Sequence, residues 1–329
     1  MPVLQNESSR RAGIINKLME NWRQPYPTFE EQKALTCISL PYTNIRAAQY
    51  GWKESLPFPT KWPYGMPRTY RTIRDRHITI QLMPFQVAIP YNIYDKEDDQ
   101  LGDMDTHVSM VVERFKMLPD QMVAEYLNNA LGTNPLNDAI ETAYDGVNVF
   151  SATDGDGNNR FGISGGNIVT GSGVSAAAIM HDMAVVQRRF LQFKDTENQP
   201  IFNEATVQYS RLHAIIPNTL NEVFQRITKQ EMIRGDAGSI TAESNYLKGE
   251  FKYHLNPYLT DSSDYFVVVE HKYWKPFAFR EPGGSGLRQI FADRSNSDRA
   301  RDLNEEALLA DVRNGMRPWF PATIVKVNN

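Results

Sequence analysis

The sequence holds a single cysteine, Cys37, among its 329 residues. No intramolecular disulfide can form, cysteine-based zinc sites are excluded, and the composition fits a reducing compartment. Long apolar runs are missing as well. Residues 1–11 are polar and contain no apolar core of a signal peptide. Nothing elsewhere approaches the ~20 consecutive apolar residues of a membrane helix, so no membrane partner is expected. Neither sign of charge dominates: 35 Lys and Arg face 39 Asp and Glu, leaving a formal net charge of -4. So weak a field would not let a lone subunit grip duplex DNA tightly. What is present is ordinary for a folded protein. Hydrophobic residues make up 41% and charged residues 22%, which excludes disorder by composition. The length suits one large or two modest domains with an ample core.

The patterning changes along the chain. In residues 14–22, Ile14, Ile15, Leu18 and Trp22 share one helical face before Pro25 and Pro27 stop it. This reads as an extended arm with one short helix. Residues 42–95 interleave Pro57, Pro59, Pro63 and Pro67 with Trp52, Phe58, Trp62, Tyr64 and Tyr70, which no helix accommodates. Ile78 and Ile80 alternate, as do Phe85, Val87, Ile89, Tyr91 and Ile93, and Met83-Pro84 lies between. That pattern predicts a long hairpin turning at Met83-Pro84, with Arg68, Arg71, Arg74 and Arg76 on its approach. A two-stranded hairpin is marginal alone and needs a partner surface.

The clearest helix is predicted over residues 105–131, where Val108, Val111, Val112, Phe115, Leu118, Met122, Val123, Tyr126, Leu127 and Leu131 recur at three- and four-residue spacing. Pro119 falls inside it and should kink it. Residues 144–168 are turn-rich. A second helix is predicted over 175–191 with Ser175 as N-cap, and a third after Asn218. Strands are expected at 212–216, 265–270 and 323–327. Residues 231–264 read as irregular, and 303–309 as helical. No internal repeat appears, and the class is α+β.

Chemical motifs are weak. Asp154-Gly-Asp156-Gly-Asn158 suggests a calcium loop, but Asn159 and Gly165 stand where an EF-hand needs Gly and Glu. An Asp/Gly/Asn turn is the simpler reading. The glycine clusters at 165–166, 171–173 and 283–286 fit neither phosphate-binding pattern. The six histidines, His77, His107, His181, His213, His254 and His271, form no metalloprotease motif, and there is no nucleophile elbow. Cys37 has no reactive neighbourhood, and Asp98-Asp99 suits the start of a helix. These features lean away from an enzyme.

Several short segments in order resemble a known family. Trp52-Lys-Glu-Ser-Leu-Pro57, Glu97-Asp-Asp-Gln-Leu-Gly102, Leu118-Pro-Asp-Gln-Met-Val123 and Tyr144-Asp-Gly followed by Phe150-Ser151 resemble successive motifs of a tailed-phage major capsid protein of the Hong Kong 97 fold. Within that fold the chain is closest to the Mu-like major head subunit family. The order agrees over residues 42–230, and more loosely beyond. One departure is Asp154-Gly155, where the family often has His-Pro. The resemblance implies an N-terminal arm (1–41), an extended loop (42–95), a peripheral domain with a spine helix (96–140), an axial domain (141–285) and a return to the peripheral domain (286–329).

It further implies self-assembly into an icosahedral or prolate shell of hexamers and pentamers enclosing double-stranded DNA, without catalysis, metal or cofactor. Implied partners are further copies of the chain, portal, scaffold and decoration proteins, and DNA held without sequence specificity. The implied setting is the virion, assembled in the host cytoplasm. No long charged helix precedes the arm, so a fused scaffolding segment is not expected. Some relatives cross-link a loop lysine. Lys53 and Lys61 lie in the corresponding stretch, but nothing marks a partner, and the reaction is not carried over. Trp52, Trp62, Tyr70, Arg68, Arg71 and Arg74 are the expected inter-subunit contacts, against the plainer reading of packing within the subunit or a solvated charged face. The rival functions are an encapsulin-like compartment shell, a tail or baseplate component, and a soluble hydrolase built on scattered His and Asp.

Overall fold

The computed structural model describes residues 16, 19–20, 22–23, 27–40, 45–53, 59–68, 70, 75–92, 103–128, 136, 142–234, 242–281, 287–292, 297–303 and 305–329. The arm helix expected at 14–22, the acidic step at 97–102 and the glycines at 283–286 lie largely or wholly outside them. In chain order, α1 (Pro27–Thr36) runs straight into β1 (Cys37–Ser39), followed by β2 (Ala47–Lys53), β3 (Asp75–Gln81) and β4 (Met83–Asn92). The long helix α2 (Asp103–Leu127) comes next, then β5 (Ile168–Thr170), α3 (Ala176–Gln192), β6 (Leu212–Ile216) and α4 (Asn221–Lys229). Strands β7 (Met232–Arg234), β8 (Ala242–Ser244), β9 (Lys252–Leu255), β10 (Tyr265–Val269), β11 (Phe277–Arg280) and β12 (Leu287–Ala292) precede α5 (Asp298–Asp302). The chain closes with β13 (Glu305–Pro318) and β14 (Ile324–Asn328).

Two five-stranded sheets organise these elements. One runs β5-β14-β10-β6-β9, with parallel pairs at both ends and antiparallel pairs between. Its central strands β6 and β10 are buried at every position. That is why they read as continuous apolar runs rather than alternating ones. The alternation is still there, between two cores. Leu212, Ala214, Ile216, Tyr265, Val267, Val269, Val325 and Val327 face a core shared with Ile179, Met183, Val186, Phe190, Phe224 and Ile227 of α3 and α4. Ile215, Phe266, Val268 and Ile324 face the other way, into a core with Val111, Val112, Phe115, Leu118, Met122 and Val123 of α2. Each strand residue thus packs on the helices of one side or the other, according to the period of two.

The second sheet runs β1-β11-β13-β12, with β4 also paired to β13. Its Leu308, Ala310, Val312 and Met316 join Phe85, Val87 and Ile89 against the same face of α2. The helix spans 25 residues, about 38 Å at 1.5 Å per residue. It is assigned without a break through the buried Pro119. Tyr126 donates its hydroxyl to the Met316 carbonyl at 2.9 Å, joining the helix's last turn to β13. The second helix forms as its pattern predicts, with Ser175 Oγ accepting from the Ala178 amide at 3.2 Å.

Three expectations are corrected. Within the stretch 303–309, residues 305–309 are strand, not helix. Glu-Glu-Ala-Leu-Leu-Ala is built of strong helix formers, but β13 alternates buried and half-buried positions over most of its length and pairs with β4 from Glu305↔Asn92 to Asn314↔Met83. Tertiary pairing overrides local propensity there, and among the described residues around it helix is found in α5. The hairpin is also differently composed. β3 pairs with β2, not with β4, in register from Ala47↔Gln81 to Lys53↔Asp75. Only Leu82 separates β3 from β4, too little for a hairpin turn. Leu82 is buried and donates its amide to the Arg46 carbonyl at 2.8 Å, and the chain changes sheets at that point. Finally, residues 231–264 are not wholly irregular, since β7, β8 and β9 fall within them.

Phe266 is the residue on which the shared wall leans toward α2, its ring 5.3 Å from that of Phe150. Truncation to alanine is expected to cost about 3–5 kcal/mol of unfolding free energy, read by urea denaturation of the full chain.

Candidate assembly surface

The antiparallel pair β2–β3 has one face buried and one exposed. Tyr50, Trp52, Ile78 and Ile80 point inward, whereas Gln49, Gly51, Lys53, His77 and Thr79 face solvent. The inward aromatics meet a nest at the end of β13. The Trp52 ring lies 4.3 Å from that of Trp319, and Tyr144 meets Trp52 edge-on at 5.5 Å. Phe320 packs beyond, 4.5 Å from Trp274. The Arg76 guanidinium sits 5.2 Å above the Tyr144 ring. Such pairs add about 0.5–1.5 kcal/mol each beyond area burial.

Two arginines tie the hairpin backbone to the sheet beneath. Arg280, fully buried, donates to the carbonyls of Ile80 (2.9 Å), Arg46 (3.3 Å) and Ile45. Arg317 donates to the Thr79 carbonyl at 2.9 Å and to that of Thr142 at 3.4 Å. Gly315 allows the close crossing. A Cβ there would lie 2.3 Å from the Gln81 carbonyl oxygen and 3.0 Å from Ile80 Cγ2. The root of the hairpin is therefore fastened over β11 and β13.

The described part of the connection between β2 and β3 behaves differently. Met66 donates its amide to the Pro63 carbonyl at 3.2 Å, and Gly65 has φ +84°, so residues 63–66 form a turn that needs glycine at its third position. Trp62 Nε1 donates to the Met66 carbonyl at 2.7 Å, and the Arg68 guanidinium stands 5.4 Å from the Trp62 ring. This small structure orders itself, yet it leaves Trp62, Tyr64, Met66 and Tyr70 exposed, the two tyrosines almost completely. Of the expected contacts, Trp62, Arg68 and Tyr70 thus lie on the exposed connection. Trp52 lies at the root, packed within the subunit. Arg71 and Arg74 lie outside the described residues. Sequence reasoning missed Arg280, Arg317 and Gly315. The one available signal was the charge closing the apolar run Phe277-Ala-Phe-Arg280.

Other polar groups serve local structure. Arg160, nearly fully buried, forms a two-pronged pair with Asp145 (2.7 and 3.0 Å) and donates to the carbonyls of Asn148 and Val149. That arrangement folds the turn-rich loop. Asp154 accepts from the amides of Asp156 (3.1 Å) and Asn158 (2.8 Å), which makes 154–158 an Asx turn. Ser172 Oγ reaches both Asp182 (2.7 Å) and His181 Nδ1 (3.1 Å). Serine and aspartate thus sit on the same side of the imidazole, and no relay runs through it. His213 Nδ1 and His254 Nε2 are 3.1 Å apart, and Glu270 lies 3.4 Å from His213 Nε2. Burial and the neighbouring His213 push His254 down to about 4, and burial also lowers His213. Among the described residues no group of three or more His, Cys, Asp or Glu is placed to hold a metal.

A subunit with two sheets, one long helix between them and a fastened, aromatic-tipped hairpin is the architecture of a tailed-phage capsid subunit of the Hong Kong 97 fold. The capsid of an empty GTA particle superposes with a TM-score of 0.56 at 12% identity, covering 93% of this chain and 92% of that one. The structure described as Microbacterium phage Oxtober96 gives 0.53 at 9% identity over 90% of each chain. The bacteriophage PhiM1 mature capsid gives 0.51 at 9% identity, covering 89% of this chain and 84% of that one. The profile of the family described as Mu-like prophage major head subunit gpT matches residues 16–182, half of the chain. The chain belongs to that family, and it is a major capsid protein whose copies form a shell. No curated protein matches it.

Replacing Arg280 by methionine keeps volume but removes the guanidinium donor of the Ile80, Ile45 and Arg46 carbonyls, the last of which keeps the Leu82 amide. The subunit is expected to lose about 2–5 kcal/mol of stability. Hydrogen exchange should rise first in residues 45–53 and 75–81. Gly315→Val should do the same through steric crowding alone.

Proposed function

We propose that the subunit closes into hexamers and pentamers of an icosahedral or prolate shell around double-stranded DNA, and that it does so without catalysis or cofactor. The exposed connection between β2 and β3 reaches a neighbouring copy, with Trp62 and Tyr70 as its apolar anchors and Arg68, Arg71 and Arg74 as its charges. The observation that carries this reading is the contrast between root and connection. The root is fastened by Arg280, Arg317 and the Trp52 nest. The connection holds a self-ordered turn whose aromatics are left in solvent. A preorganised aromatic knob costs little entropy to dock, and aromatics and arginine dominate interface energetics.

In this reading residues 1–41 are the arm, 42–95 the extended loop, 96–140 with 286–329 the peripheral domain, and 141–285 the axial domain. The faint net charge suits DNA confined without sequence preference rather than gripped by each subunit. Portal, scaffold and decoration proteins are the further partners, and assembly takes place in the host cytoplasm before the shell becomes part of the virion.

The test is assembly of a Trp62→Ala/Tyr70→Ala variant and, separately, of Arg71→Glu/Arg74→Glu, scored by negative-stain microscopy after size-exclusion chromatography. Both variants should lose closed shells while keeping the thermal unfolding midpoint of the wild-type subunit. Normal particles from both would overturn the assignment of these contacts.

A further inference from the structure

The Pro119-Asp120 step of α2 places a carboxyl group where nothing satisfies it. Asp120 is 2% exposed, and neither of its side-chain oxygens has a hydrogen-bond partner among the described residues. Leu118, Met122 and Val123 flank it in a buried core that also holds Cys37 and Phe277. Helix α1 packs against α2. On α1, Gln32 Nε2 is another buried polar atom without a partner among the described residues. The next residue, Lys33, exerts its positive charge on Asp120. Yet Lys33 is engaged elsewhere: its Nζ lies 2.5 Å from Glu281 Oε1 and 4.4 Å from the centre of the Phe279 ring.

We propose that Lys33 is a two-position fastener of α1. With Asp120 protonated it holds Glu281 at the end of β11, and with Asp120 ionised it turns inward to the Asp120 carboxylate. The proton leaves to solvent and no bond other than O–H is broken.

The charges around the site are few. Lys33 on α1 faces Asp120, and Glu281 competes for Lys33. On β1, burial pushes the Cys37 thiol up to about 12, so it stays neutral, and Lys275 acts on that thiol rather than on Asp120. Lys116 stands one turn earlier on α2. Burial pushes the Asp120 carboxyl up to about 7, with the Lys33 charge opposing. The acid is thus neutral below neutrality, the condition in which Lys33 is free to hold Glu281. Full ionisation of a carboxylate so deeply buried demands a cation, and Lys33 is the cation whose charge acts on Asp120.

The sign of the pH dependence follows. The unfolded chain releases this proton near 3.9, and the folded one near 7. Stability contributed by the protonated form is complete below about 4, is lost as pH rises toward 7, and stays lost above it.

The experiment follows thermal unfolding of the full-length subunit across this range for the wild type, Asp120→Asn, Lys33→Met and Glu281→Gln. The wild type should lose stability as pH rises through 5–7, and Asp120→Asn should not. Glu281→Gln frees Lys33 for Asp120, so the loss should end about one pH unit lower. Lys33→Met should move its end up by a similar amount. Equal or same-direction shifts in the last two variants would refute the exchange of partners. Difference infrared spectroscopy of wild type against Asp120→Asn is a second readout that needs no unfolding. It should show a protonated carboxyl stretch at pH 6 that fades by pH 8. A carboxylate band already present at pH 6 would overturn the proposal.

Discussion

The structure depends on one shared wall. Strands β6, β10 and β14 send alternate side chains to opposite sides, so that Val267 packs with α3 and α4 while Phe266 and Val268 pack with α2. Neither helical layer has a complete core without that sheet. Because the side-chain period is two, a slip of one residue in β10 would exchange the occupants of both cores at once. The register of three short strands is therefore enforced from two directions. The two halves of the molecule cannot repack independently.

Against that frame the hairpin is fixed by contacts made far along the chain. Arg280 and Arg317 lie about two hundred residues after the carbonyls they hold. They bring guanidinium donors to backbone carbonyls at the root of the ribbon, the Arg46 carbonyl taking one in addition to the Leu82 amide. A ribbon of this size would not persist alone. Stacked on Trp319 and bound to two guanidinium groups, it becomes a rigid base, and the turn at Pro63–Met66 orders its own outward end. In a shell-forming protein this divides labour. The root uses its bonding capacity inside the subunit, whereas Trp62, Tyr64 and Tyr70 of the connection stand in solvent.

How much of this was legible in the sequence follows from the range of the forces involved. The apolar stripe from Val111 to Leu127, the Ser175 cap and the runs at 212–216 and 265–269 are local signals, and they produced α2, α3, β6 and β10 nearly as read. The stretch Glu305–Ala310 went astray because its helix formers speak locally while its partner, β4, lies more than two hundred residues earlier. The hairpin was sensed from alternation, but its partners were exchanged: nothing local tells Ile78 that it belongs with Tyr50 rather than with Phe85. Of the proposed contacts, Trp62 and Tyr70 stand where an aromatic, proline-broken segment suggested. Trp52, in the same segment, was claimed by Trp319, a residue from the far end of the chain. Short motifs in the right order carried the family because order survives where pairing is invisible.

The single residue between β3 and β4 has a mechanical consequence. Leu82 leaves no slack between the hairpin and the long ladder that β4 makes with β13. Tension applied to the hairpin passes through one buried residue into a strand held along ten residues by its neighbour. Pulled along its length, such a strand loads its hydrogen bonds together, in shear, rather than one after another as a zipper opens. The subunit is therefore stiff immediately behind the hairpin root, and force reaching β3 is carried by the β4–β13 ladder rather than by the core.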